Sequence, residues 1–126
     1  MNIKTYSRGE IIFREGDAGD CVYELSYGSV GIYVNYGKEN EQKISELMGE
    51  QFFGEMGLIL EEPRETTAVA TSDEAYVEVI YLKDLEAVFS ACPVKIDMLL
   101  KHLSFRLRRL TIDFLDICKD ITSNYS

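Results

Sequence analysis

The hydrophobic period of this chain changes once, near Leu82, and that change restricts the fold more than any other feature of the sequence. Before it, apolar runs are short and closed by turn residues. Ile11-Ile12-Phe13 lies between Gly9 and the Gly16-Asp17-Ala18-Gly19-Asp20 turn. Residues 21–27 and 29–36 flank Gly28 and are rich in Val, Tyr and Ile, which suit a pleated surface. Val30, Ile32 and Val34 alternate, as a half-buried strand requires. A polar turn at 36–40 and a strand at 43–48, closed by Gly49-Glu50, follow. Two further strands are predicted at 66–71 and 75–81, joined through Ser72-Asp73-Glu74. Many short strands at regular spacing indicate a sandwich or jelly roll.

After Leu82, residues 83–90 predict a short helix, and Pro93 marks a break or a first helical turn. Leu99, Leu103, Leu107, Leu110, Phe114 and Ile117 then recur at spacings of 4, 4, 3, 4 and 3, an amphipathic helical stripe. About 25 residues at ~1.5 Å each are longer than a small barrel can cover. A homodimer or partner contact through helix 94–118 is therefore expected.

At 126 residues the chain fits one domain with its own core. Residues 1–126 are read as a single domain, with a β-roll over 1–81 and C-terminal helices over 82–120. No apolar run approaches the ~20 residues that span a bilayer. Met1-Asn2-Ile3-Lys4-Thr5 carries no apolar signal core, so a cytoplasmic protein without membrane contact is expected. The net charge of −9 would repel a phosphate backbone, so no direct nucleic-acid binding is expected. Residues 93–118 nevertheless carry +2 against −11 for the remainder. Arg106, Arg108 and Arg109 there suit a solvated helix face or a contact with an acidic surface.

Catalysis finds little support. Metal-dependent jelly-roll enzymes need several imidazoles and carboxylates, and His102 is the only histidine. No Ser/His/Asp or Cys/His arrangement is legible. The expectation is a non-enzyme without catalytic residues, metal site or cofactor. Cys21, Cys92 and Cys118 are odd in number and fit no zinc or redox spacing, so they read as reduced packing residues. One of them with His102 could in principle ligate haem iron, but nothing in the sequence places them together.

The stretch from Phe53 to Thr67 carries the chemistry. Glu55 and Arg64 stand nine residues apart, with glycines and an apolar turn between them. Amides after Gly54 suit an anion at the start of a short helix. Arg64 offers planar donors that match a phosphate, and Glu55, acceptor-only when ionised, matches a ribose hydroxyl. The set suits a sugar phosphate; taken as residue types alone, it equally suits a surface helix with a stray ion pair.

The wider order of motifs resembles the cyclic nucleotide-binding domain family, which includes catabolite activator proteins and regulatory subunits of cAMP-dependent protein kinase. Phe53-Gly54-Glu55, Gly57-Leu58 and Pro63-Arg64 match the family's phosphate-binding cassette. Gly9-Glu10-Ile11-Ile12-Phe13, Glu15-Gly16-Asp17-Ala18-Gly19-Asp20, Val22-Tyr23 and Gly28-Ser29-Val30 match its barrel. The resemblance implies a mainly β fold with α. That fold is a double-stranded β-helix (jelly-roll) barrel of about eight strands, with a short phosphate-cassette helix and two C-terminal helices.

The resemblance also implies a site. Glu55 would accept the ribose 2′-hydroxyl and Arg64 would neutralise the cyclic phosphate of cAMP or cGMP. The backbone at Gly54, Met56 and Gly57 would add donors at a helix N-terminus. Thr66 would assist at the phosphate, and Thr67 would do the same or begin a strand. Glu65 departs from the family, which places Ala, Ser or Thr there. A carboxylate beside the phosphate would repel it by several kcal/mol in a partly dry pocket, unless it swings away or pairs with a cation. That departure motivates an alternative, a degenerate pocket in a structural or protein-interaction module. Base recognition would fall to Val30, Ile32, Met48 and residues 106–113. The family's matching helix lids the ligand, so the expected mechanism is that the phosphate draws the cassette inward, Leu58 and Leu60 shift a hinge at 82–90, and the long helix closes over the base. The output is expected to lie in a partner and not downstream in this chain.

Overall fold

The computed structural model of the protein describes residues 2–54 and 62–125. Eight strands form among them: β1 (Ile3–Ser7), β2 (Ile11–Phe13), β3 (Cys21–Tyr27), β4 (Ser29–Val34), β5 (Gln42–Met48), β6 (Gln51–Phe53), β7 (Thr67–Ala70) and β8 (Glu74–Tyr81). They build two four-stranded sheets, ordered β1-β8-β3-β6 and β2-β7-β4-β5. Every paired neighbour is antiparallel. The architecture is the expected mainly β jelly roll with C-terminal helices, built as two open sheets and not as a closed barrel.

The core lies between the sheets because strand side chains alternate with period two. Cys21, Tyr23 and Leu25 of β3, Phe53 of β6, and Ala75, Val77 and Val79 of β8 come from one sheet. They meet Phe13 of β2, Val30 of β4, and Ala68 and Ala70 of β7 from the other. Leu25, Val30 and Val77 are fully buried, each worth roughly 1.5–3 kcal/mol of transfer free energy.

The strand boundaries differ from the sequence reading where tertiary pairing decides. β1 is a mostly exposed edge strand with little apolar signal of its own, and its pairing with β8 from Ile3↔Glu78 to Ser7↔Glu74 defines it. β6 is too short for a period to show; its register Tyr23↔Phe53 is set by β3. β4 stops at Val34, two residues early, because Asn35 turns left-handed at φ 56°, a conformation asparagine tolerates.

The chain divides into two compact units between Val88 and Phe89. The first holds the roll. The helix expected at 83–90 begins as a 3₁₀ turn, Leu82–Asp84, and continues as the α-helix Leu85–Ala91, which crosses the divide. The second unit is dominated by the long helix Val94–Tyr125. Pro93 serves both readings offered for it: it interrupts the helices, and its carbonyl accepts the Ile96 N–H at 3.0 Å. Along the stripe, Leu99 and Leu103 are half-buried, whereas Leu107, Leu110, Phe114 and Ile117 are 57–66% exposed. The Asp97–Lys101 ion pair on this helix spans 2.8 Å with both partners exposed, and contributes little. No described helix is long and apolar enough to cross a membrane.

Candidate functional site

Three pieces of the roll converge on Arg64: the turn between β2 and β3, the first residue of β3, and the end of β6. The turn closes on itself, with the Asp17 N–H donating to the Arg14 carbonyl (3.0 Å) and the Arg14 N–H to Asp17 Oδ2 (2.9 Å). It then fastens the arginine's main chain. The Arg64 N–H donates to the Asp17 carbonyl and the Gly16 N–H to the Arg64 carbonyl, both at 2.8 Å.

The Arg64 side chain points inward and is only 5% exposed. Its Nη2 donates to the Cys21 carbonyl at 2.6 Å and lies 3.5 Å from Cys21 Sγ. Its Nη1 donates to the Gly54 carbonyl. The guanidinium carbon sits 4.6 Å from the centre of the Phe13 ring and 5.4 Å from that of Tyr23. Carbonyl dipoles and ring faces thus hold the charge. Nε is buried without a hydrogen-bond partner among the described residues, an arrangement that costs roughly 1–3 kcal/mol.

Local sequence explains the box. Cys21 and Tyr23 fall on the same face of β3 by alternation, and Tyr23 stacks on Phe53 at 5.2 Å across the β3–β6 register. Phe13 completes the triad, 5.5 Å from Tyr23 and 6.2 Å from Phe53. Gly54 follows at φ +77°, where a Cβ would come within 2.8 Å of Arg64 Nη1 and 3.1 Å of Tyr23 Cδ2. Glycine there admits the guanidinium as well as the turn.

Burial pushes the Tyr23 hydroxyl far above its usual range, raises the Cys21 thiol, and raises Tyr6 on the same side of the core. All three stay neutral at ordinary pH, Cys21 and Tyr23 beside the arginine. The linkage has a definite sign. A tyrosine whose folded pKa lies above its unfolded 10.0 takes up relatively more protons when folded, so its contribution is intact below that pH and is lost above it. The roll should therefore lose stability as pH rises past about 10, and Tyr23→Phe should flatten that alkaline limb in urea unfolding followed from pH 8 to 11. An unchanged limb would remove Tyr23 as its source.

The other sequence-predicted residues distribute as follows. Glu65 is exposed. Thr66 is half-buried. Thr67 is buried, opens β7, and its Oγ1 accepts the Glu15 N–H at 3.2 Å. Glu55, Met56 and Gly57, the cassette helix, and Leu58 and Leu60 lie outside the described residues. Val30 is fully buried and Ile32 packs against the core, but Met48 is 67% exposed at the end of β5 and does not join them. Cys21 belongs to the first unit, and Cys92, His102 and Cys118 to the second. Among the described residues no group of three His, Cys, Asp or Glu side chains could hold a metal ion.

The sequence marks Tyr23 only as part of a barrel motif and gives no sign of the guanidinium contacts of Phe13, Tyr23 and the Cys21 carbonyl. Alternation along β3 could have aligned Cys21 with Tyr23. Nothing local could have brought Arg64 to them.

Known proteins share this fold. The family model for the cyclic nucleotide-binding domain matches residues 3–92. The type II regulatory subunit of cAMP-dependent protein kinase from Drosophila melanogaster is 32% identical over 89 residues, which is 71% of this chain and 23% of that subunit. The cyclic AMP receptor protein of Thermus thermophilus is 28% identical over 110 residues, 87% of this chain and 50% of its own length. The crystal structure of the Thermus thermophilus catabolite activator protein superposes with a TM-score of 0.75 at 28% identity, covering 94% of this chain and 55% of that chain. This chain therefore spans between about a quarter and about half of these relatives. With the match running from β1 to the residue after the short helix Leu85–Ala91, the chain belongs to the cyclic nucleotide-binding domain family.

Proposed function

We propose that this domain is a non-enzymatic, cytoplasmic sensor. It binds cAMP or cGMP in the roll and passes the event to the long helix. One observation carries the reading: a cation, Arg64, is built into the roll beside Gly54, while Glu65 is exposed. The exposure of Glu65 supports the reading, because a carboxylate in water repels a phosphate less than one enclosed with it. Arg64 would pair with the cyclic phosphate and Glu55 with the ribose, with backbone donors from Gly54, Met56 and Gly57 and a hydroxyl from Thr66. Both relatives named above carry cAMP in their names, which supports that ligand class. The exposed stripe from Leu107 to Ile117 would contact a second copy or a partner protein.

A second reading has its own observation. The guanidinium is already engaged by the Cys21 and Gly54 carbonyls, as it would be in a roll that keeps the fold without the nucleotide and serves as a protein-interaction module. Calorimetric titration of ligand-free protein with cAMP and with cGMP separates the two. The sensor reading expects micromolar binding of at least one nucleotide. In Arg64→Ala that affinity should fall at least about 30-fold, the scale of a lost charge-assisted pair. Saturating nucleotide should also slow hydrogen exchange over residues 95–118. Absence of heat and of competition with either nucleotide would leave the module reading standing.

A further inference from the structure

On the nucleotide-binding reading above, we propose that Phe13 and Tyr23 are positioning residues that hold Arg64 in an inward pose closed to anions. The ligand phosphate then binds only in competition with the protein's own carbonyls.

Arginine serves an anion through a planar fork of two N–H groups. Each edge of the Arg64 fork is occupied or enclosed. Nη2 donates to the Cys21 carbonyl at 2.6 Å, Nη1 to the Gly54 carbonyl, and Nε is buried. At 5% exposure no pair of donors faces outward. The rings of Phe13 and Tyr23, at 4.6 and 5.4 Å, supply the attraction that keeps the guanidinium there.

The main chain at Arg64 is fixed by its two hydrogen bonds to Gly16 and Asp17. Release therefore needs rotation about the side chain and no movement of that backbone. The inward pose leaves Nε without an acceptor among the described residues, and a phosphate would satisfy it in the outward pose. The anion thus has the differential affinity for one pose that a switch requires. Its apparent affinity is lowered by the fraction of molecules in which Arg64 is outward. Phe13 and Tyr23 set that fraction from inside the core.

The test pairs calorimetry with cAMP and NMR of the Arg64 side chain on the full chain. In the wild type the Arg64 Nε–H resonance should exchange slowly with water, and should shift on saturation with cAMP as it takes a phosphate oxygen as acceptor. Phe13→Leu and Tyr23→Leu should bind cAMP about three- to tenfold more tightly, the range open to a partly desolvated cation–π contact. Both should show faster Nε–H exchange in the free protein. Phe53→Leu is the control: Phe53 stacks on the same two rings, whereas the guanidinium lies over Phe13 and Tyr23, so it should not tighten binding. Should the leucine variants fail to fold, the wild-type spectrum alone decides, because exchange at the solvent rate in the free protein overturns the inward pose. Weaker or equal cAMP binding by folded Phe13→Leu and Tyr23→Leu also overturns the proposal. If the wild type binds no nucleotide while Nε–H stays protected and Phe13→Leu exposes it, the inward pose stands and the nucleotide reading fails.

Discussion

Phe53→Ala is expected to remove about 3–5 kcal/mol from the roll, the usual result of deleting a buried phenyl ring. Phe53 is 4% exposed and lies in the core between the sheets. It stacks on Tyr23 at 5.2 Å and on Phe13 at 6.2 Å, so its loss also strips one face from each neighbouring ring. β6 is only three residues long, with Phe52 as its other buried side chain. Set against the 5–15 kcal/mol typical of whole domains, the loss is large. A thermal melt should show the midpoint falling by roughly 15 °C or more. A drop of only a few degrees would mean that the core closes over the cavity and that Phe53 is dispensable to the fold.

Gly28→Ala should cost about 3–4 kcal/mol, through overpacking and left-handed strain together. Gly28 joins β3 to β4 at φ +89°, where the turn meets the connection between β7 and β8. A Cβ there would press on the Glu74 carbonyl oxygen, stand 2.5 Å from Ser72 Oγ and 3.0 Å from Ala75 Cα. Ser72 cannot yield freely, because its hydroxyl accepts the Ser29 N–H at 3.0 Å and donates to the Glu74 carbonyl at 2.6 Å. Gly37 is the natural control. It has φ +81° but nothing within 4 Å of an added Cβ, so Gly37→Ala should cost only the ~1–2 kcal/mol of backbone strain. Equal losses in the two variants, compared by urea unfolding, would show that strain alone acts at Gly28.

Much of the roll was legible because its signals are local. The alternation of Val30, Ile32 and Val34, the glycine turns and the shift of period at Leu82 each depend on residues close in sequence. The strands read from them lie within a residue or two of those observed. β1 and β6 escaped because their partners, β8 and β3, supply the pairing that their own sequences do not announce. Residue type marked Arg64 and Gly54 as members of a site, and the motif order pointed to the family.

Local sequence therefore determined the fold class, the strand series and the identity of the cation. Only the tertiary structure decided where that cation points. A guanidinium can serve a phosphate or a pair of carbonyls equally well by its chemistry. The choice follows from Cys21, Tyr23 and Phe13 being delivered to it from distant strands, and from a backbone clamped to Asp17 and Gly16. The exposure of Glu65 likewise belongs to the tertiary structure and not to its residue type.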